Sequence, residues 1–115
     1  MNSAQLIGSW KAETLSYQFG DHKGTYPFDH EYLKQGCKTD ILVINDDFTV
    51  ALHENNRVED QCKDFITQGK VEDEIIVFDN HQRLIDNVDD SKLLLKYPLT
   101  MMGQTIEVTV EYSKQ

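Results

Sequence analysis

No stretch of this sequence approaches the roughly 20 consecutive apolar residues that carry a helix across a bilayer, so a helical membrane span is excluded. Basic charge is short as well: 11 Lys and Arg stand against 20 Asp and Glu, a net charge of -9. Non-specific nucleic-acid binding needs a basic surface to displace counterions, and anionic headgroups attract basic patches, so neither partner suits this chain. Cysteine is limited to Cys37 and Cys62, too far apart for a zinc knuckle or a Cys-x-x-Cys redox pair. The motifs of catalysis are missing too. There is no Gly-x-Ser-x-Gly elbow, glycine-rich phosphate loop or His-x-x-x-His zinc pair, so no catalytic residue, cofactor or metal is assigned. Met1-Asn2-Ser3-Ala4 lacks the basic start and apolar stretch of a leader. An exported form is expected to have lost its leader, and with it any lipid anchor.

What the chain does have is alternation. Its 115 residues are expected to form one domain, residues 1–115, around a single modest core. Residues 8–17 put Trp10, Ala12 and Thr14 on one face of a first strand. Residues 19–36 read as a long connection, with a short helix over 30–35. Residues 39–44 place Ile41 and Val43 on one face, and after the turn Asn45-Asp46-Asp47 the residues Phe48, Val50 and Leu52 alternate. Further turns are read at Asn55-Asn56, Glu72-Asp73-Glu74 and Asp89-Asp90, with strands over 62–71, 75–78, 83–88 and 92–97. A connection over 98–103 precedes the last strand, 104–112, where Ile106, Val108, Val110 and Tyr112 point one way and Thr105, Glu107, Thr109 and Glu111 the other. About eight strands joined by short turns imply an all-β fold, an eight-stranded antiparallel up-and-down barrel. Its interior is either just filled by side chains or holds one small ligand.

The acidic pairs Asp46-Asp47 and Asp89-Asp90 fall in turns, where aspartate is favoured for the bonds it makes to its own backbone. A calcium site needs about six oxygens, which neither pair supplies. Asp21-His22 and Asp29-His30-Glu31 lie in the first connection, where exposed histidines are normally solvated.

The cysteines fall at one end of the hairpin formed by 39–44 and 48–54, Cys37 ahead of it and Cys62 beyond it. A disulfide there would contribute roughly 3–4 kcal/mol in the loop-entropy model and would point to an oxidising compartment. The alternative is two separate buried thiols in a cytosolic protein.

The opening Leu6-Ile7-Gly8-Ser9-Trp10-Lys11, the eight-strand meander and the ending Val108-Thr109-Val110-Glu111-Tyr112 resemble the lipocalins. The likeness spans nearly the whole chain and is nearer to the small bacterial lipocalin-like domains. In those, a cysteine before the second strand and another after the third recur. The resemblance implies a calycin-type barrel whose base is closed by Gly8 and Trp10. It also implies an extracytoplasmic protein, secreted, periplasmic or held at the bacterial envelope. Two features depart from it. Lipocalins usually stack a late arginine on the tryptophan, but the final strand here has none, and Lys114 is the only nearby cation. No counterpart of the lipocalin C-terminal helix is expected in the residues after Tyr112.

Two functions of different class remain. In one, this is a monomeric binding protein whose apolar calyx is lined by Val43, Val50, Leu52, Leu95 and Val108. The aromatic residues Tyr17, Phe19, Tyr26, Phe28 and Tyr32 then roof it, and Met101 and Met102 line its mouth. The partner would be a small hydrophobic ligand, neutral or weakly cationic, because a net charge of -9 disfavours anions at long range. Arg57, read in a turn, and Arg83, read at a strand start, are not placed to meet a ligand carboxylate. In the other, the aromatics plug the barrel and the methionine loop caps the core. That leaves a ligand-free structural or protein-interaction module of the cell envelope.

Overall fold

The strands form where apolar and polar residues alternate, and each presents one face to a common interior. The computed structural model describes residues 3–115; Met1 and Asn2, where the segment read for a leader begins, lie outside the described residues. A 3-10 turn, Ser3–Leu6, leads into β1 (Gly8–Phe19), which folds back into β2 (His22–Pro27). One turn of helix follows, α1 (Glu31–Lys34). Then come β3 (Ile41–Ile44), β4 (Thr49–Val58), β5 (Gln61–Glu72), β6 (Ile75–Phe78), β7 (Gln82–Val88), β8 (Lys92–Met101) and β9 (Gln104–Lys114). No helix of the described residues is long and apolar enough to cross a membrane.

From β3 to β9 every strand pairs with the next in antiparallel register, and β9 returns to β1 from Gln18↔Glu107 down to Trp10↔Lys114. β1 closes the ring on its other edge, so eight strands make a complete barrel and β2 lies outside it. That other edge is shared: Gly8 to Lys11 pair with β3, while Thr14 to Phe19 pair with β2. The upper half of β1 is therefore not joined to β3 at all. The seam is sealed by the segment carrying α1.

Four local readings of the sequence change. Residues 19–36 are not a plain connection, because Gly20 at φ 55° allows a tight reversal into β2. Asn55 and Asn56 do not turn the chain; β4 runs on to Val58, and the Asn55 side chain bonds across the ladder to Asp64 at 2.8 Å. Residues 98–101 continue β8 through Pro98, which faces Glu107. The turn is Met102-Gly103, both with positive φ as a two-residue hairpin requires. Finally, Leu42 and Ile44 face inward, and Val43 lies on the opposite, outer face. The run Ile41-Leu42-Val43-Ile44 is apolar on both faces, so alternation alone does not set which side is buried.

The floor of the barrel is apolar. Leu6, Trp10, Leu42, Ile44, Val50 and Leu93 are all at most 1% exposed. The Trp10 indole donates to the Leu6 carbonyl at 2.8 Å, satisfying its only polar atom. Lys114 places its ammonium 4.5 Å from the centre of the Trp10 ring, bonds to the Ile7 carbonyl and reaches the Gln5 carbonyl at 3.4 Å. The final cation thus covers the tryptophan although it is lysine and not arginine. Gly8 makes room for it: at φ 139° a Cβ there would meet the Lys114 side chain at 2.8 Å.

Candidate functional site

Halfway up the barrel the lining changes from apolar to charged. Asp40 immediately precedes β3, and its carbonyl accepts from the Ala12 amide at 3.0 Å. Its side chain is buried and receives the Lys34 ammonium at 2.8 Å; Lys34, itself 4% exposed, also donates to Asn56 at 2.7 Å. Burial pushes the Asp40 carboxyl above the ordinary carboxylate range, and the Lys34 hydrogen bond pulls it back. The helix that delivers Lys34 is capped by His30, whose Nδ1 accepts from the Tyr32 amide at 3.1 Å.

Further bonds stitch this segment to the β4–β5 hairpin. Cys37 and Cys62 form a disulfide with Cα atoms 5.7 Å apart. Arg57, which lies in β4 and not in a turn, donates to the Gln35 carbonyl at 3.0 Å, and the Lys38 amide donates to the Asn55 side chain at 2.8 Å. Side-chain and covalent links replace the ladder that β3 would have made with the upper half of β1.

Arg83 is the residue that the sequence reading misplaced. It lies within β7, two positions before the buried Ile85, and turns into the barrel. Its guanidinium donates to the hydroxyl of Tyr112, which is fully buried, at 3.1 Å. The Tyr97 and Phe78 ring centres lie 4.7 and 5.8 Å from its Cζ. Its Nε is buried without a hydrogen-bond partner, and so is the Nε2 of His81, whose ring stacks on Phe78 at 4.7 Å. Burial raises the pKa of the Tyr97 and Tyr112 hydroxyls; Arg83 opposes this, while Asp40 and Glu54 add to it. Burial also lowers the pKa of His81, and the nearby Arg83 lowers it further. The signal was present in the sequence, since Arg83 and Ile85 share a face of any strand. Arginine at an inner position is uncommon enough to have been read as an edge.

The predicted site residues divide into three groups. Val50, Leu52, Leu95 and Val108 are buried in the interior, and Phe28 is buried with the Lys34 ammonium 6.0 Å from its ring centre. Tyr17 and Tyr26 stack at 6.0 Å at the upper end of β1 and β2, and Tyr17 lies over Gly24, where a Cβ would fall 2.3 Å from its ring. Phe19 stacks on His22 at the turn beyond them. Val43, Met101 and Met102 do not join the interior: Val43 faces outward, and the methionines sit at the tip of the β8–β9 hairpin, 51% and 98% exposed. Tyr32 is also exposed. Met101 ends and Met102 follows a strand that extends past Pro98 and carries them away from the core. A hollow of about 610 Å³ lies at the seam outside the ring, where Pro27, Asp29, Lys38 and Thr39 border it.

No protein-family model matches the sequence, and no curated protein sequence matches it. Solved structures do match. The bovine lipocalin allergen Bos d 2 is 11% identical with a TM-score of 0.68, and the match covers 100% of this chain and 76% of that one. Bovine odorant-binding protein, solved with its natural ligand, is 18% identical with a TM-score of 0.64 over 100% of this chain and 74% of that chain. The siderocalin Ex-FABP is 16% identical with a TM-score of 0.59, covering 96% and 71%. At such identities the likeness is one of fold, and it agrees with the closed eight-stranded ring and the strand outside it: this chain folds as a lipocalin-like β-barrel.

Proposed function

We propose that this protein is an extracytoplasmic carrier that holds one small, largely apolar molecule in the upper half of its barrel, as a monomer and without catalysis. The observation that carries this reading is the contrast along the barrel axis. The floor is fully packed, but the inner positions above it, Leu15, Tyr17, Tyr97 and Ile106, are only partly buried. Apolar side chains left half-covered at the mouth of a closed barrel are the usual lining of a small-molecule site. Bovine odorant-binding protein, of similar fold, has been solved with a selenium-containing odorant and with undecanal. Export is supported by the Cys37–Cys62 disulfide, which persists in oxidising compartments.

The competing reading is a solid interaction module, and the tight packing of Val50, Leu52, Leu95 and Val108 favours it. Titration of the full chain with the neutral apolar dye Nile red separates the two. Saturable, one-to-one enhancement is expected for a carrier. Absence of saturable binding overturns the carrier reading and leaves the module.

A further inference from the structure

Arg83 sets a chemical requirement on whatever enters the barrel. A buried guanidinium N–H with no partner is costly, because a donor taken out of water needs an acceptor. The Tyr97 and Phe78 rings flank the fork and limit its freedom to swing outward. Tyr112 accepts one bond from Arg83, and its own O–H has no acceptor among the described residues. Arg83 Nε and the Tyr112 hydroxyl are therefore both donors without an acceptor, and the buried, unpartnered His81 Nε2 lies against the Phe78 ring that Arg83 also meets.

The chain's own acids do not fill this place. Asp40 is taken by Lys34 at 2.8 Å. Glu54, on the inner face of β4 opposite Phe65, is not within ion-pair distance of Arg83, and neither is any other carboxylate among the described residues. The planar fork of arginine matches the two oxygens of a carboxylate.

We propose that Arg83 and Tyr112 receive the carboxylate of an amphipathic ligand that enters head first, with its apolar tail running back past Leu15, Tyr17 and Ile106 to the mouth. The floor leaves no room for the opposite orientation, since Trp10, Leu42 and Leu93 fill it. The acidic surface does not forbid an anion here: its field is screened beyond about 8 Å at physiological salt, whereas the head group would meet Arg83 at contact. This rests on the carrier reading and replaces the expectation of a neutral or cationic ligand with an anionic one.

The test compares dodecanoate with dodecanol as displacers of Nile red from the full chain. The acid is expected to bind about tenfold more tightly or better, the ordinary gain from a charge-assisted hydrogen bond. Arg83→Gln should bring the acid down to the level of the alcohol, and Glu54→Gln, which removes a like charge, should tighten the acid alone. Equal affinities in the parent protein overturn the head-group inference and leave the carrier reading intact. If the dye itself fails to bind, both fall together. The parent comparison needs no variant, so it decides even where Arg83→Gln does not fold.

Discussion

At its closed end the barrel holds Leu6, Trp10, Leu42 and Ile44 with at most 1% of any of them exposed, whereas halfway up the same tube Lys34, Asp40 and Arg83 occupy inner positions. The floor has its polar atoms answered by short-range partners: the indole by Leu6, the final ammonium by backbone carbonyls and the ring. The upper half answers only some of its own. Asp40 and Lys34 satisfy each other, but Arg83 Nε and His81 Nε2 are left over. Packing of the first kind stabilises a fold; unsatisfied polar groups of the second kind cost stability and mark a candidate for function.

The largest effect tests the floor. Trp10→Ala removes a fully buried indole and is expected to cost about 3–5 kcal/mol, read as a lower urea midpoint at unchanged slope. A loss comparable to that of a surface substitution would mean that the floor does not carry the fold.

The upper half is probed by charge. Lys34→Met leaves the Asp40 carboxylate buried without its cation and is expected to cost about 3 kcal/mol. The double variant Lys34→Met, Asp40→Asn should regain most of it, because no charge is then stranded. If the double variant is as unstable as the single, the pair matters as packing and not as an ion pair, and the contrast between the two halves weakens.

The smallest effect sharpens the same contrast through pH. Burial and Arg83 hold the pKa of His81 below its ordinary value, so the native state favours the neutral ring. The stability this contributes is fully present above the unfolded pKa, near 6.5, and is lost as pH falls through the lower folded value. Asp40 runs with the opposite sign: burial raises its pKa, so its contribution declines as pH rises from the ordinary carboxylate range through the raised value. In His81→Gln the descent below about pH 6.5 should flatten while the rest of the profile stays. An unchanged descent would place His81 in contact with water.

Much of the barrel was legible because a strand with one buried face writes its burial into every second residue. Ile75–Phe78 was read with its observed bounds, and Ile106, Val108, Val110 and Tyr112 share the inner face expected of them. Reading failed where that code is silent. Ile41 to Ile44 are apolar on both faces, so Val43 was put inside. Asn55, Asn56 and Pro98 carry turn chemistry but are held in strands by partners distant in sequence, Lys34, Asp64 and the β9 ladder.

The candidate site was less legible than the fold for the same reason. Composition and alternation by themselves determined an acidic, all-β chain of successive strands with a tryptophan near its start, since these depend only on residue type and neighbours one or two apart. Which cation covers Trp10, how α1 seals the seam beside β1, and that Arg83 points inward to Tyr112 were decided by tertiary structure alone. Each depends on residues dozens of positions apart meeting at one depth of the barrel. That depth is set by strand register and bulges, such as those between Ala12 and Thr14 and between Ile85 and Asn87, which no local pattern encodes.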